Sequence, residues 1–279
     1  MDVPATSARS PRVTGMFHAV LWLLGGLLIA FIALPLLRLV TTSSAGSLAH
    51  ALGDTDLRSA LLLSVQDAVI TAAIATALGV PLAYLLARQP FRGRGLVQAL
   101  VDLPLAVPHT VAGIALLFVF GRTGWLGAPA EHVGISFYGT QAKAGIVAAM
   151  LFVSAPFAVN STRVALEGID PSLERAARSL GATPAHAFHR VTLPLAARGV
   201  LTGAVLVYAR SISEFGAVVI LAYYPATAPV QIYTLFLTSG LTDSASAAVL
   251  LLVVSLATFL VLRTLASGWL LTGANRAHR

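Results

Sequence analysis

Long apolar runs alternate with short polar segments along this 279-residue chain. A helix needs roughly 20 residues to cross the hydrocarbon core of a bilayer. Six runs reach or approach that length, near residues 16–40, 61–86, 98–120, 142–160, 199–222 and 245–271. The pattern therefore predicts an all-α, polytopic membrane protein with six transmembrane helices. The segments between them, including 121–141 and 223–243, are predicted as loops.

Composition supports a membrane environment, because 57% of the residues are hydrophobic and only 10% are charged. A soluble domain carries about 25% charged residues. The chain contains no cysteine, which excludes disulfides, thiol catalysis and cysteine-ligated metal. Three regions are predicted: a flexible cytoplasmic N-terminus (1–15), a transmembrane domain (16–271) and a short cytoplasmic tail (272–279).

The net charge is +7, so the placement of the basic residues is informative. They lie at the ends of apolar runs rather than along one polar face, so a lipid bilayer is expected as partner and nucleic acid is not. With the N-terminus inside, thirteen Lys and Arg residues fall in cytoplasmic segments and four in external ones. This asymmetry predicts a multi-pass protein of the cell membrane with both termini in the cytoplasm.

The longest polar interval, residues 167–194, lies between the fourth and fifth predicted spans and is therefore expected in the cytoplasm. Asp170 with Pro171 is a helix start, and Gly181 is a helix stop that tolerates positive φ. Thr183 with Pro184 repeats the start signal. The apolar residues Leu173, Ala176, Ala177 and Leu180 share one helix face. We expect two short helices folded about the glycine, the second ending near Val191, and call this segment the hairpin.

A stripe of small apolar residues is typical of a helix that docks into a groove on a partner protein. The alternative is an ordinary amphipathic connector between two spans. The hairpin also resembles the Glu-Ala-Ala loop of ABC importer permeases, on the residues Ala176, Ala177, Gly181, Val191, Leu193 and Pro194. It departs from that pattern at Arg175, where the family usually has Glu, with Glu174 one step earlier. The resemblance implies an ATPase-coupling role for Glu174, Arg175, Ala176, Ala177, Gly181, Pro184 and Phe188.

Two opposite charges lie within the fifth predicted span. Arg210 and Glu214 are four residues apart on one helical face, so they can neutralise each other in the membrane. Alternatively Arg210, with the hydroxyls of Ser211 and Ser213, lines a passage for an anion, because its fork of donors matches oxyanion oxygens. Asp67 in the second span is a further buried acid and a possible partner for Arg210.

The third predicted span contains Pro104 and Pro108 and then Thr110. Two prolines four apart predict a kinked helix, which either lines a passage or simply packs. This segment and residues 210–233 resemble the permeases of molybdate and tungstate ABC importers, and sulfate permeases share much of the pattern. The resemblance implies a type I ABC permease fold, pairing with a second copy, and an extracellular or periplasmic oxyanion-binding protein. The predicted substrate-pathway residues are Thr110, Arg210, Ser211, Ser213 and Glu214.

Nucleotide binding by a P-loop needs a lysine within a glycine-rich motif, and Lys143, the single lysine, lies in Gln-Ala-Lys-Ala. No catalytic or metal site is predicted, and no cofactor is expected on this chain; ATP and magnesium would belong to a separate ATPase subunit. One alternative is an ion-coupled secondary transporter using Asp67, Arg210 and Glu214. Another is a membrane scaffold with the hairpin as a docking tag.

Overall fold

The computed structural model describes residues 11–139 and 142–276, with side chains described for 16–139 and 142–264. Nearly all of these residues are helical and none of them forms a strand. The helices are α1 (Pro11–Thr42), α2 (Ala45–Gly53), α3 (Thr55–Arg88), α4 (Arg94–Ala106), α5 (His109–Phe120), α6 (Gly127–His132), α7 (Lys143–Glu167), α8 (Ser172–Ser179), α9 (Pro184–Ala187), α10 (Leu193–Ile212), α11 (Gly216–Leu221), α12 (Ala228–Ser239) and α13 (Leu241–Arg276), with a π-helical segment (Phe188–Thr192) between α9 and α10.

Within the residues that the structure describes, five helical segments are long and apolar enough to cross a membrane, and the α4–α5 pair gives a sixth span if it is counted as one. The five are Met16–Thr42, Thr55–Arg88, Lys143–Glu167, Pro184–Ile212 and Leu241–Thr264. The all-α, polytopic fold class is thereby confirmed.

The centre of the molecule is formed by α3, α7 and α10, which pack against one another along their lengths. Small residues at their contacts let the backbones approach closely. A Cβ at Gly79 would lie 3.1 Å from that of Ala158, and one at Gly203 would lie 3.2 Å from the Ala158 Cα. Close approach of this kind replaces the hydrophobic driving force that lipid cannot supply. In contrast, α1 lies at the periphery beside α13, and none of its described side chains is fully buried.

The fourth span is longer than hydropathy predicts, because α7 continues to Glu167. Polar side chains in its last part face α4 instead of lipid. Asn160 donates from Nδ2 to Asp102 Oδ1 at 2.7 Å, and Gln98 Nε2 donates to Asp102 Oδ2 at 2.7 Å. Asn160, one of the polar residues that lowered the apparent hydropathy of this segment, is thereby hydrogen-bonded within the protein.

The predicted end of the fifth span and the predicted loop at 223–243 are both wrong. The fifth span ends at Ile212 rather than near 222, and α11 follows as a separate short helix. The segment 223–243 is not a loop, since it contains α12. Pro229 lies in the first turn of α12, where a helix needs no N–H donor, and the Ala228 N–H donates to Ser64 Oγ at 2.8 Å. Pro229 therefore marks a helix start within the segment predicted as a loop.

The terminal segments are shorter than predicted. Helix α1 begins at Pro11 and α13 extends to Arg276, so residues 11–15 and 272–276 are helical. The remainder of the predicted N-terminal region (1–10) and of the tail (277–279) lies outside the described residues.

Candidate functional site at the hairpin and the helix breaks

The turn of the hairpin follows the predicted start and stop signals. Gly181 has φ of +93°, and the Ala182 N–H donates to the Ala177 carbonyl at 3.1 Å, which closes α8 with a six-to-one bond. Thr183 then caps α9, since its Oγ1 accepts from the His186 N–H at 3.2 Å. The chain therefore reverses at the glycine, as predicted.

The second arm differs from the prediction, because it is not a separate short helix ending near Val191. Helix α9 continues through the π-helical segment into α10, so Pro184–Ile212 is one helical span. Pro194 is the second residue of α10, one residue after the π-helical segment in which the regular i to i−4 bonding is interrupted. The second arm of the hairpin is thus the end of a membrane helix.

Exposure divides the predicted coupling residues into two groups. Arg175, Ala176, Gly181 and Pro184 are exposed, and Ala177 is half-buried. On the same face, Leu180 is 89% exposed and Leu173 45% exposed. The hairpin therefore presents apolar side chains that no described part of the chain covers.

Glu174 and Phe188 form the second group and turn toward the membrane helices. The Glu174 carboxylate accepts from Thr192 Oγ1 at 2.7 Å and from Tyr84 Oη at 3.0 Å, and it lies 3.2 Å from Arg88 Nε. The Phe188 ring meets the Tyr84 ring edge-on, with centroids 4.9 Å apart. Sequence reasoning missed the three partners of the carboxylate, because nothing in the pattern near the end of the second span links it to the hairpin.

The start of α8 carries a charged cap. The Asp170 Oδ1 atom accepts from the Ser172 N–H at 2.8 Å. This backbone hydrogen bond, with one from the Ser172 side chain, lowers the pKa of the exposed Asp170 carboxyl below its ordinary 3.8. The carboxylate therefore stabilises the first turn of α8 at every pH at which it is ionised.

Two helices are interrupted within the apolar part of the molecule. Helices α4 and α5 meet at an angle of 117°, so the predicted kink is a complete break. Pro104 stays inside α4, and the break falls at Val107, which is extended because it precedes Pro108. The second break separates α10 from α11 at residues 213–215. Helix α5 packs directly against α11, so the two interrupted segments are neighbours.

A buried carboxylate joins the two breaks. Glu214 is 1% exposed, and its Oε2 atom lies 2.7 Å from Arg210 Nη2 and 2.8 Å from His109 Nδ1. Its Oε1 atom accepts from the Ala217 N–H at 2.9 Å, which caps α11. The Arg210 Nη2 atom also lies 2.8 Å from His109 Nε2. The same Nη2 atom lies 2.6 Å from His109 Nδ1, so the guanidinium faces both nitrogens of the ring.

The predicted pairing of Arg210 with Glu214 is therefore present, although Glu214 lies in the break and not on a continuous helix. His109 was missed as a site residue. The signal that places it there is its position directly after the proline at a helix break. Asp67 does not pair with Arg210. It is buried in α3, and its Oδ2 atom has no hydrogen-bond partner among the described residues.

The remaining predicted pathway residues fall in two environments. Ser211 is buried and hydrogen-bonds Ser154 at 3.0 Å, so it faces the interior of the chain. Thr110 and Ser213 are exposed, beside the quarter-exposed side chain of Arg210. The geometry thus leaves two hydroxyls and one guanidinium accessible at the helix breaks.

The contact between α5 and α11 depends on glycine. A Cβ at Gly113 would lie 2.8 Å from the Ile220 Cβ, and a Cβ at Gly216 would lie 2.7 Å from the His109 Cβ. Real Cβ atoms do not approach that closely, so larger residues at either position would separate the two helices. Both glycines therefore help to set the position of His109.

In the described part of the chain, five long apolar helices, a broken pair and a projecting hairpin define the class as a multi-pass membrane protein. A family model described as binding-protein-dependent transport system inner membrane component matches residues 79–271. The chain belongs to this family, the permease subunits of ABC importers, as the resemblance of its hairpin implied.

Relatives with assigned names cover most of the chain. It is 41% identical over 244 residues to the molybdate/tungstate transport system permease protein WtpB of Pyrococcus abyssi, covering 87% of this chain and 92% of the relative. It is 39% identical over 230 residues to the molybdenum transport system permease protein ModB of Mycobacterium tuberculosis, covering 81% and 86%. A probable sulfate transport system permease of Helicosporidium sp. subsp. Simulium jonesii is 41% identical over 167 residues, covering 59% of this chain and 60% of that protein.

The fold is shared with solved transporters. A bacterial ABC transporter involved in the import of the acidic polysaccharide alginate superposes with a TM-score of 0.74, covering 92% of this chain and 96% of that one. The two sequences are 18% identical, so this likeness concerns the fold alone.

Proposed function

We propose that this permease imports a tetrahedral oxyanion, molybdate or tungstate, with ATP hydrolysed by a separate subunit. The support for the anion is the naming of relatives that match over more than four-fifths of the chain. The sulfate-named relative matches a shorter part, so sulfate is the second candidate. An ion-coupled carrier is disfavoured by family membership and by the separation of Asp67 from the Arg210–Glu214 pair.

The observation that carries the coupling role is the uncovered apolar face of the hairpin. Leu173, Ala176 and Leu180 are exposed along one side of α8, next to the positive-φ turn at Gly181. A short helix with small and apolar side chains fits a groove in a partner protein. The groove would belong to an ATP-binding cassette ATPase subunit, and the basic residues Arg175 and Arg178 would lie at its rim.

The side of the membrane follows from the distribution of basic residues. Thirteen Lys and Arg residues fall in the segments that the sequence predicts on the hairpin side, and four in those predicted on the opposite side. The hairpin and both termini would therefore face the cytoplasm, where ATP is available. The opposite surface, with residues 121–139 and the start of α12, would face the extracellular or periplasmic binding protein that delivers the anion.

The anion path would lie between this chain and a second copy of it. The accessible groups at the helix breaks are the Arg210 guanidinium and the hydroxyls of Thr110 and Ser213. Glu214 offsets the positive charge of Arg210, so an anion would bind weakly at this site. Few, weak contacts suit conduction, since a tightly bound ion would not leave.

ATP-driven closure of the ATPase dimer would move the two hairpins and switch the path between inward-open and outward-open states. A ligand shifts such an equilibrium only by its different affinity for the two states. Here ATP acts on the ATPase, and the hairpin transmits the change to the membrane helices.

The test is uptake in vesicles containing the permease, its ATPase and its binding protein. We expect molybdate and tungstate uptake that requires all three components, and a loss of ATPase co-purification in Leu180→Ser. Val133→Ser, which removes another exposed apolar side chain from the opposite surface, is the matched control and leaves co-purification unchanged. Uptake by the permease alone would contradict the proposal in favour of an ion-coupled carrier. Co-purification without uptake of any oxyanion would favour a scaffold.

A further inference from the structure

Glu174 lies on the hairpin but does not face outward with its neighbours. Its side chain is 15% exposed, whereas Leu173 beside it is 45% exposed and Arg175 is exposed. A carboxylate that bound the ATPase directly would need to be accessible. The structure instead directs it toward the ends of membrane helices.

Three helical segments meet at this carboxylate. Tyr84 and Arg88 come from the end of α3, Thr192 comes from the π-helical segment that begins α10, and Glu174 itself belongs to α8. The Arg88 side chain is 8% exposed, and its Nη2 atom donates to the Ile169 carbonyl at 2.9 Å, in the connection between α7 and α8. Its Nε atom lies at ion-pair distance from the carboxylate without hydrogen-bond alignment.

The members of such a cluster cannot easily move apart one at a time. A buried charge that loses one partner keeps the cost of its desolvation, so a partly satisfied cluster is worse than a complete one. The edge-on contact of Phe188 with Tyr84 covers one side of the cluster with apolar surface. The ends of α3, α8 and α10 are therefore favoured to move together.

We propose that Glu174 is a positioning residue that joins the hairpin to α3 and α10, so that a displacement of α8 reaches two membrane helices at once. The ATPase is contacted by the outer face of α8, and Glu174 acts behind that face through Arg88, Tyr84 and Thr192. This inference rests on the proposed function of the hairpin, and it assigns the transmission step to named side chains.

The experiment compares ATP hydrolysis with molybdate uptake in vesicles that hold the complete transporter and its binding protein. Glu174→Gln removes the charge that pairs with Arg88, and Arg88→Gln removes the other member. Glu167→Gln is the matched control, because Glu167 lies on the same side of the molecule and pairs with Arg94 and Arg163 at a more exposed position. The measured quantity is the ratio of ATP hydrolysed to anion imported, because a loss of folded protein alone does not change this ratio.

We expect both Glu174→Gln and Arg88→Gln to keep ATPase co-purification and to raise that ratio on the order of ten-fold. The double variant should be no worse than either single one, because both remove the same interaction. The control should stay within about two-fold of the parent ratio, since exposed ion pairs contribute little. An unchanged ratio in Glu174→Gln overturns the inference.

Two further outcomes separate this inference from the proposed function. Loss of co-purification in Glu174→Gln but not in Arg88→Gln would make Glu174 a direct ATPase contact, which overturns the positioning role and keeps the hairpin assignment. Failure of the parent protein to associate with the ATPase would overturn the proposed function itself.

A distance measurement tests the inference without relying on transport. The chain has no cysteine, so spin labels can be placed at Ser179→Cys in α8 and Arg92→Cys just after α3. In the complete transporter we expect the same narrow distance distribution with and without ATP. Glu174→Gln should broaden it, and an equally narrow distribution in that variant contradicts the inference.

Discussion

Arg210 and Glu214 form an ion pair across the end of α10, with 2.7 Å between Nη2 and Oε2. The carboxylate is almost fully buried, whereas a quarter of the arginine side chain is exposed. The same carboxylate caps α11 through the Ala217 N–H and contacts His109 at the start of α5. One acid thus fixes three helix ends, while the guanidinium it holds remains accessible.

Removing this acid should destabilise the permease more than removing any exposed acid. Glu214→Ala leaves a guanidinium without its counter-charge and an uncapped helix, and breaking a buried pair costs about 3–5 kcal/mol. We expect a clear fall in the thermal unfolding midpoint of the purified protein in detergent. Glu131→Ala, in the exposed part of α6, is the control and should leave the midpoint unchanged. Equal midpoints for the two variants would show that Glu214 is not a structural anchor.

Arg210→Lys separates the structural role of the arginine from its proposed role in the path. Lysine keeps a positive charge for Glu214 but lacks the planar fork that can serve the carboxylate, His109 and an oxyanion together. We expect nearly unchanged folding and molybdate uptake lowered on the order of ten-fold, the cost of about 1.4 kcal/mol in the barrier. Normal uptake by this variant would exclude a specific contact between the anion and the guanidinium.

The sequence predicts much of this fold because the membrane imposes strong constraints. Apolar runs that reach or approach the spanning length identified each span of the described residues, and Gly181 identified the turn of the hairpin. The errors fall where polar or proline residues have a local structural purpose. Asn160 is accommodated within α7 because its side chain hydrogen-bonds Asp102. Pro229 lies in the first turn of α12 and not in a loop. Hydropathy is averaged over a window of sequence, so it contains no information about the tertiary contacts of such residues.

The site was predictable only where its members are close in sequence. Arg210 and Glu214 are four residues apart, so helical periodicity predicted their pairing. His109 lies 105 residues from Glu214, and Tyr84 lies 90 residues from Glu174. Those contacts depend on how α3, α5 and α8 are arranged in space, which a single sequence does not reveal. The same limit explains why Asp67 was offered as a partner for Arg210.

The close contact of α5 with α11 should be sensitive to one methyl group. Gly113→Ala places a Cβ within 2.8 Å of the Ile220 Cβ and 3.0 Å of the Ala217 carbonyl oxygen. Overpacking of this kind typically costs about 1–3 kcal/mol, so we expect a lower unfolding midpoint. Gly95→Ala in α4 is the matched control, because no atom lies within 4 Å of its Cβ position. A midpoint for Gly113→Ala that equals that of the control would mean that α5 and α11 separate without cost.

The charged cap of α8 predicts a response to acid. Because its folded-state pKa is depressed, Asp170 stabilises the start of α8 fully above its ordinary pKa of 3.8, and this contribution is lost as the pH falls through the lower folded value. A spin label at Ser179→Cys should therefore gain mobility only below pH 3.8. Asp170→Asn keeps an oxygen acceptor but does not titrate, so that step should disappear. The same acid midpoint in both proteins would assign the transition to another group.

The positive φ at Gly181 gives the most direct test of the hairpin. No atom of the described residues lies within 4 Å of its Cβ position, so a substitution there acts on the backbone alone. A non-glycine residue in this region costs about 1–2 kcal/mol, most for a β-branched one. Gly181→Val should therefore displace α8 and abolish co-purification with the ATPase, while the protein still inserts in the membrane. Gly93→Val is the matched control, because Gly93 has φ of +87° and equally open surroundings but lies between α3 and α4, outside the hairpin. If both variants lost the ATPase equally, general strain rather than the shape of the hairpin would govern association.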